Sequence, residues 1–160
     1  MFPIQLGLKA SSAPEQVASR LKYHPDVFEF FTSEVDYTAD SLEKLEEAIQ
    51  KVKSSSVKTI VLHHPMKYQG KRLELVAHPK NNAELVNFID FSTQKLLDLA
   101  KKYDCKVLVH GSYELEDAEL LEPFASIEDA RQYLFSRMDH FCHIGKDYIM
   151  SVSYTHLRAH

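Results

Sequence analysis

The sequence is poor in the residues that mark several common functions. Only four glycines occur in 160 residues, and Gly7 lies within an apolar run instead of after it. A doubly wound nucleotide-binding sheet usually carries a glycine-rich phosphate turn behind its first strand; none is present. The two cysteines, Cys105 and Cys142, show no metal or redox spacing and suit a reducing cytoplasm. No apolar run approaches the ~18 residues of a membrane span. The opening MFPIQLGLKASS lacks a basic stretch leading into a long apolar one, so it does not read as a secretion signal. The 19 Lys and Arg form no dense run, and the formal net charge is -4, which argues against a nucleic-acid partner. These absences predict a soluble, cytoplasmic chain that meets neither nucleic acid nor membrane.

What is present is a regular alternation. A hydrophobic content of 44% suffices for one domain with a sizeable core. Strand-like runs stand at Ile4 to Lys9, Val27 to Thr32, Val57 to His63 and Lys106 to His110, and a fifth begins at Asp147 to Met150. Helical patterns with capping signals separate them. The first opens at Ser12, with Pro14 and Glu15 in its first turn. The second opens at Asp40 and carries Leu42, Leu45, Ile49 and Val52 on one face. The third opens at Asn81 and runs to about Tyr103, with Leu85, Ile89, Leu96 and Leu99 inside. The fourth opens at Ser126 with Asp129, ends at Gly145, and lines up Ile127, Ala130, Leu134, Met138 and Phe141. Between Pro65 and Lys80 lies a connection longer than the usual ~2–6 residues; it reads as an elaborated loop with a short hairpin, and Leu73 to Val76 as an alternating segment.

Strand followed by capped helix, repeated, is the pattern of parallel α/β architecture. Two versions compete: a doubly wound sheet of five strands, which usually carries the phosphate turn missing here, and a partial (β/α)8 barrel of about four and a half β/α units, expected if the chain is a fragment. Such barrels keep their chemistry at the C-terminal strand ends. The polar residues expected there are Lys9, Thr32, Glu34, His63, His64, His110, Ser112, Tyr113 and Glu114. Imidazoles ending two strands point to a shared centre able to grip a divalent metal once carboxylates join them. Side chains alternate along a strand, so His63 and His64 face opposite sides and one alone reaches that centre. Alternation does not decide which of the two that is; His63 and His110 are the expected ligands, with His64 as the substitute for His63. Lys9, Tyr113 and Glu114 are the expected substrate contacts. His140, Cys142 and His143 imitate a metal cluster, but Cys142 points away from the other two on a helix.

The elements LHHP at 62–65 and VHGSY at 109–113, with the opening LGLKASSAPEQV and the strand VFEFF, resemble the xylose-isomerase-like barrel superfamily. That group holds sugar phosphate isomerases and epimerases together with abasic-site endonucleases. The resemblance implies a divalent metal, a sugar or sugar phosphate as partner, and a metal-binding Glu on the fifth strand. After Met150 the chain departs from that pattern into SVSYTHLRAH, and Ser153 to His160 resembles a translated sequencing adaptor. The expectation is a truncated barrel domain over 1–150 and a non-native tail over 151–160. Such a fragment is expected to be inactive and to self-associate through uncovered strand edges. A metal phosphodiesterase of the abasic-site endonuclease kind, and a non-catalytic barrel-derived binding protein, are the competing readings.

Overall fold

The computed structural model describes residues 4–112 and 118–152. Five parallel strands make the main sheet: β1 (Gly7–Ala10), β2 (Val27–Phe31), β3 (Thr59–His63), then β6 (Lys106–His110) and β7 (Ile149–Val152). They stand side by side in chain order. The intervening helices are α1 (Pro14–Leu21), α2 (Ala39–Lys53), α3 (Pro79–Tyr103), the short α4 (Ala118–Leu121) and α5 (Ile127–Gly145). Crossovers between parallel neighbours are right-handed, so strands laid down in sequential order receive all their helices on one face. The chain is an α/β protein, as the alternation predicts.

Burial follows the pleat. Phe28 and Phe30 of β2, Ile60 and Leu62 of β3, and Val107 and Val109 of β6 are buried in one core with Leu45, Ile49 and Val52 of α2 and Ile89, Leu96 and Leu97 of α3. Successive side chains leave a strand on opposite faces. The alternate set, Lys9, Glu29, Phe31, His63, Leu108 and His110, therefore lies on the face without helices. Register aligns Phe31, His63 and Leu108 in one row across that face, and Lys9, Glu29, Val61 and Lys106 in the row two residues earlier.

Several local readings need correction. The Ser12 capping box does not form: Ala13 is the N-cap of α1 without a side-chain cap, and Pro14 opens the helix. The Thr38 hydroxyl, not Asp40, caps α2 by accepting from the Ser41 amide. For α3, Pro79 occupies the first turn, the His78 ring accepts from the Lys80 amide, and Asn82 breaks the helical backbone at φ -135°. Proline fixes its own φ and needs no amide donor in the first turn, so the helix starts earlier than Asn81. The hairpin is present as β4 (Lys67–Tyr68) and β5 (Lys71–Arg72), turning through Gln69 and Gly70 at positive φ. Leu73 to Val76 does not alternate: all four residues, and Ala77 after them, are buried. Ser126 caps α5 by accepting from Asp129 as expected, but Ile127 is exposed. The last strand does not stop at Met150. It continues through Ser151 and Val152, which pair with Val109 and His110.

Candidate functional site

Two imidazoles meet at the C-terminal ends of adjacent parallel strands. His63 closes β3 and His110 closes β6. Their Nε2 atoms lie 2.8 Å apart, with ring centroids at 4.7 Å and planes inclined by 57°. Register explains the meeting. His63 pairs with Leu108, so His110 projects from the same face, two residues further along its strand. Both rings are partly buried. Burial, and then the neighbouring His63, hold the His110 ring below the usual imidazole range. Protonating a partly desolvated ring beside another imidazole is unfavourable, which disfavours the charged form of His110.

The geometry is close to that of a metal-binding pair. A tetrahedral ion with nitrogens at about 2.0–2.1 Å separates two of them by roughly 3.3 Å; the present gap is a direct hydrogen bond about half an ångström shorter. His63 Nδ1 sits 2.8 Å from the His64 carbonyl oxygen, the backbone contact that ligating histidines commonly make through their second nitrogen. The donor set thus fits two ligands of a divalent ion. Among the described residues no group of three or more His, Cys, Asp and Glu is gathered to complete the shell.

His64 faces the other way. Its ring is 2% exposed, and its Nε2 lies 2.8 Å from Ser92 Oγ of α3. Loss of hydration pushes its pKa down to about 3, so it is a neutral core residue throughout the physiological range. The substitute ligand is thereby set aside: its Nε2 is engaged with Ser92 of α3 and not with His110. Lys9 does lie on the open face, but it is exposed and in register with Glu29 on the edge strand. Two strand spacings of ~4.8 Å separate β1 from β3, so Lys9 does not join the histidine pair. Tyr113 and Glu114 lie outside the described residues.

Thr32 and Ser112 serve as props. The Thr32 hydroxyl donates to the His63 carbonyl at 2.8 Å, and Tyr37 donates to that hydroxyl at 3.0 Å. Burial raises the Tyr37 phenol well above its ordinary range, which keeps it a donor. The Ser112 hydroxyl donates to Glu74, a carboxylate residue only 3% exposed, while the Leu75 amide donates to the Gly111 carbonyl at 2.9 Å. The segment after the hairpin is thus bound to the end of β6. Glu34 accepts from the Gln69 amide at the hairpin tip, and Tyr68 stacks on Phe88 at 4.2 Å, a packing role. Lys67 is exposed on the hairpin. His140, Cys142 and His143 are all exposed on α5 and form no cluster.

Sequence reasoning missed Glu74, Ser92 and Tyr37. An acid embedded in LELVA reads as the polar half of an alternating strand, and only its burial shows otherwise. No protein-family model matches the chain, and no curated protein matches it. Among the described residues no helix is long and apolar enough to cross a membrane.

Proposed function

We propose that this chain contributes the first β/α units of a (β/α)8 barrel whose parent is a metal-dependent sugar or sugar phosphate isomerase or epimerase, with His63 and His110 as ligands of a divalent ion. The observation that carries the reading is the approach of the two Nε2 atoms to 2.8 Å on the helix-free face, at the C-terminal strand ends. Sequential parallel strands with helices on one face are the repeating unit of such a barrel, and that rim is where its chemistry gathers. When bound, the ion would polarise the carbonyl or hydroxyl oxygens of a sugar. The described residues hold and orient: His63 is tied to the His64 carbonyl and propped by Thr32. Among the described residues no group of three or more His, Cys, Asp and Glu gathers at the histidines, and paired carboxylates for moving a proton would come from elsewhere in the parent.

Calorimetric titration with Zn2+ tests the reading. The expected result is one binding event lost in both His63→Ala and His110→Ala and kept in the double replacement of His140 and His143 by Ala. Binding that survives both rim substitutions and disappears with the α5 pair would locate the ion on the surface of α5 and end the proposal.

A further inference from the structure

We propose that Ser92 and His64, on the far side of the sheet from the histidine pair, are positioning residues that set the tautomer of His63. Ser92 Oγ donates to the Phe88 carbonyl at 2.7 Å, which uses its single hydrogen. His64 Nε2 lies 2.8 Å from the same oxygen, which ties the ring to α3. The His64 amide donates in turn to the Leu108 carbonyl at 2.9 Å, and Pro65 keeps the residue extended. With its ring bound to α3 and its amide bound to β6, His64 has a fixed carbonyl direction.

That carbonyl lies 2.8 Å from His63 Nδ1. A carbonyl only accepts, so Nδ1 carries the hydrogen, and a neutral imidazole has only one. His63 Nε2 is then a bare lone pair aimed at the open face, and the hydrogen between it and His110 Nε2, 2.8 Å away, belongs to His110. In water either ring nitrogen of a histidine can hold the proton, and the hydrogen bond made by one nitrogen decides the state of the other. Here the His64 carbonyl makes that decision, held in direction by Ser92 at the ring and by β6 at the amide. The tautomer assignment stands without a metal; only its use, presenting a ligand nitrogen, rests on the function proposed above.

The test is a long-range 1H–15N correlation spectrum of the labelled chain at about pH 8, where free imidazoles are neutral, with His63 assigned by its loss in His63→Gln. The expected wild-type pattern is a hydrogen on Nδ1 and a bare Nε2. Ser92→Ala is expected to turn His63 into a mixture of both tautomers and to weaken Zn2+ binding about ten- to hundredfold. Ser92→Thr, which restores the hydroxyl, is expected to keep the wild-type pattern. A wild-type His63 protonated on Nε2 overturns the proposal, as does a Ser92→Ala spectrum unchanged at His63. Should Ser92→Ala fail to fold, the wild-type spectrum still decides the assignment. A wild-type chain that shows the expected tautomer but takes up no Zn2+ upholds the relay and defeats the metal site alone.

Discussion

His63 and His64 are neighbours in the chain and opposites in the structure, and so are the two faces of the sheet that they belong to. The helix side takes Phe28, Phe30, Ile60, Leu62, Val107 and Val109 into a continuous apolar core. The open side keeps Lys9, Glu29, Phe31 and the His63–His110 pair, and Phe31 remains 42% exposed. One step along a strand separates a neutral core imidazole from one aimed at a neighbouring strand. Apolar burial is concentrated on one face and the paired imidazoles stand on the other, so a substitution should reveal its face by which property it changes.

Truncating matched aromatics is expected to separate the two faces most strongly. Phe28→Ala removes a fully buried ring and is expected to cost about 3–5 kcal/mol of unfolding free energy. Phe31→Ala, three residues on, is expected to cost about 1 kcal/mol or less, because much of that ring is already in water. Urea denaturation of the two variants checks this, and equal losses would mean that the open face is covered after all.

Acid sharpens the contrast at His64. Its folded pKa, about 3, lies below the ordinary 6.5, so the unfolded chain takes up a proton that the folded chain refuses. Stability is therefore full above about pH 6.5 and falls as the pH drops towards 3, losing about 2 kcal/mol by pH 5 from this group. Replacing His64 by Gln is expected to flatten the profile in that window, measured by urea midpoints at stepped pH. A slope that persists unchanged would assign the acid sensitivity elsewhere.

A smaller effect is expected where α5 turns into β7. A Cβ on Gly145 would stand 2.8 Å from Ile149 Cβ and 3.2 Å from Leu97 Cδ2. Overpacking of this kind costs about 1–3 kcal/mol, partly offset by the lower chain entropy of alanine in the unfolded state. Gly145→Ala should lose about 1–2 kcal/mol in thermal unfolding; a neutral result would show that the joint yields.

Much of this division can be read from sequence because the periodicities are strong. The stripe Leu45, Ile49 and Val52 on α2 and the run Lys106–His110 of β6 match their elements. Alternation at the LHHP element correctly separates His63 from His64. The losses come where backbone chemistry, not hydrophobic period, decides. Pro79 moves the start of α3, Thr38 displaces Asp40 as a cap, and Val57 stays outside β3. Glu74 and Ser92 were illegible for a different reason. Their partners, Ser112 and His64, lie 38 and 28 residues away, and no local pattern links an acid or a helix serine to a strand end.

The two rim imidazoles are proposed to form one cation site on the helix-free face. The most direct measurement is an anomalous difference map from crystals of the chain grown with Zn2+. A peak is expected within about 2.2 Å of Nε2 of both His63 and His110, with His64 untouched beneath α3. A peak on His64, or strong peaks confined to His140 and His143 with the rim pair still hydrogen bonded, would contradict it.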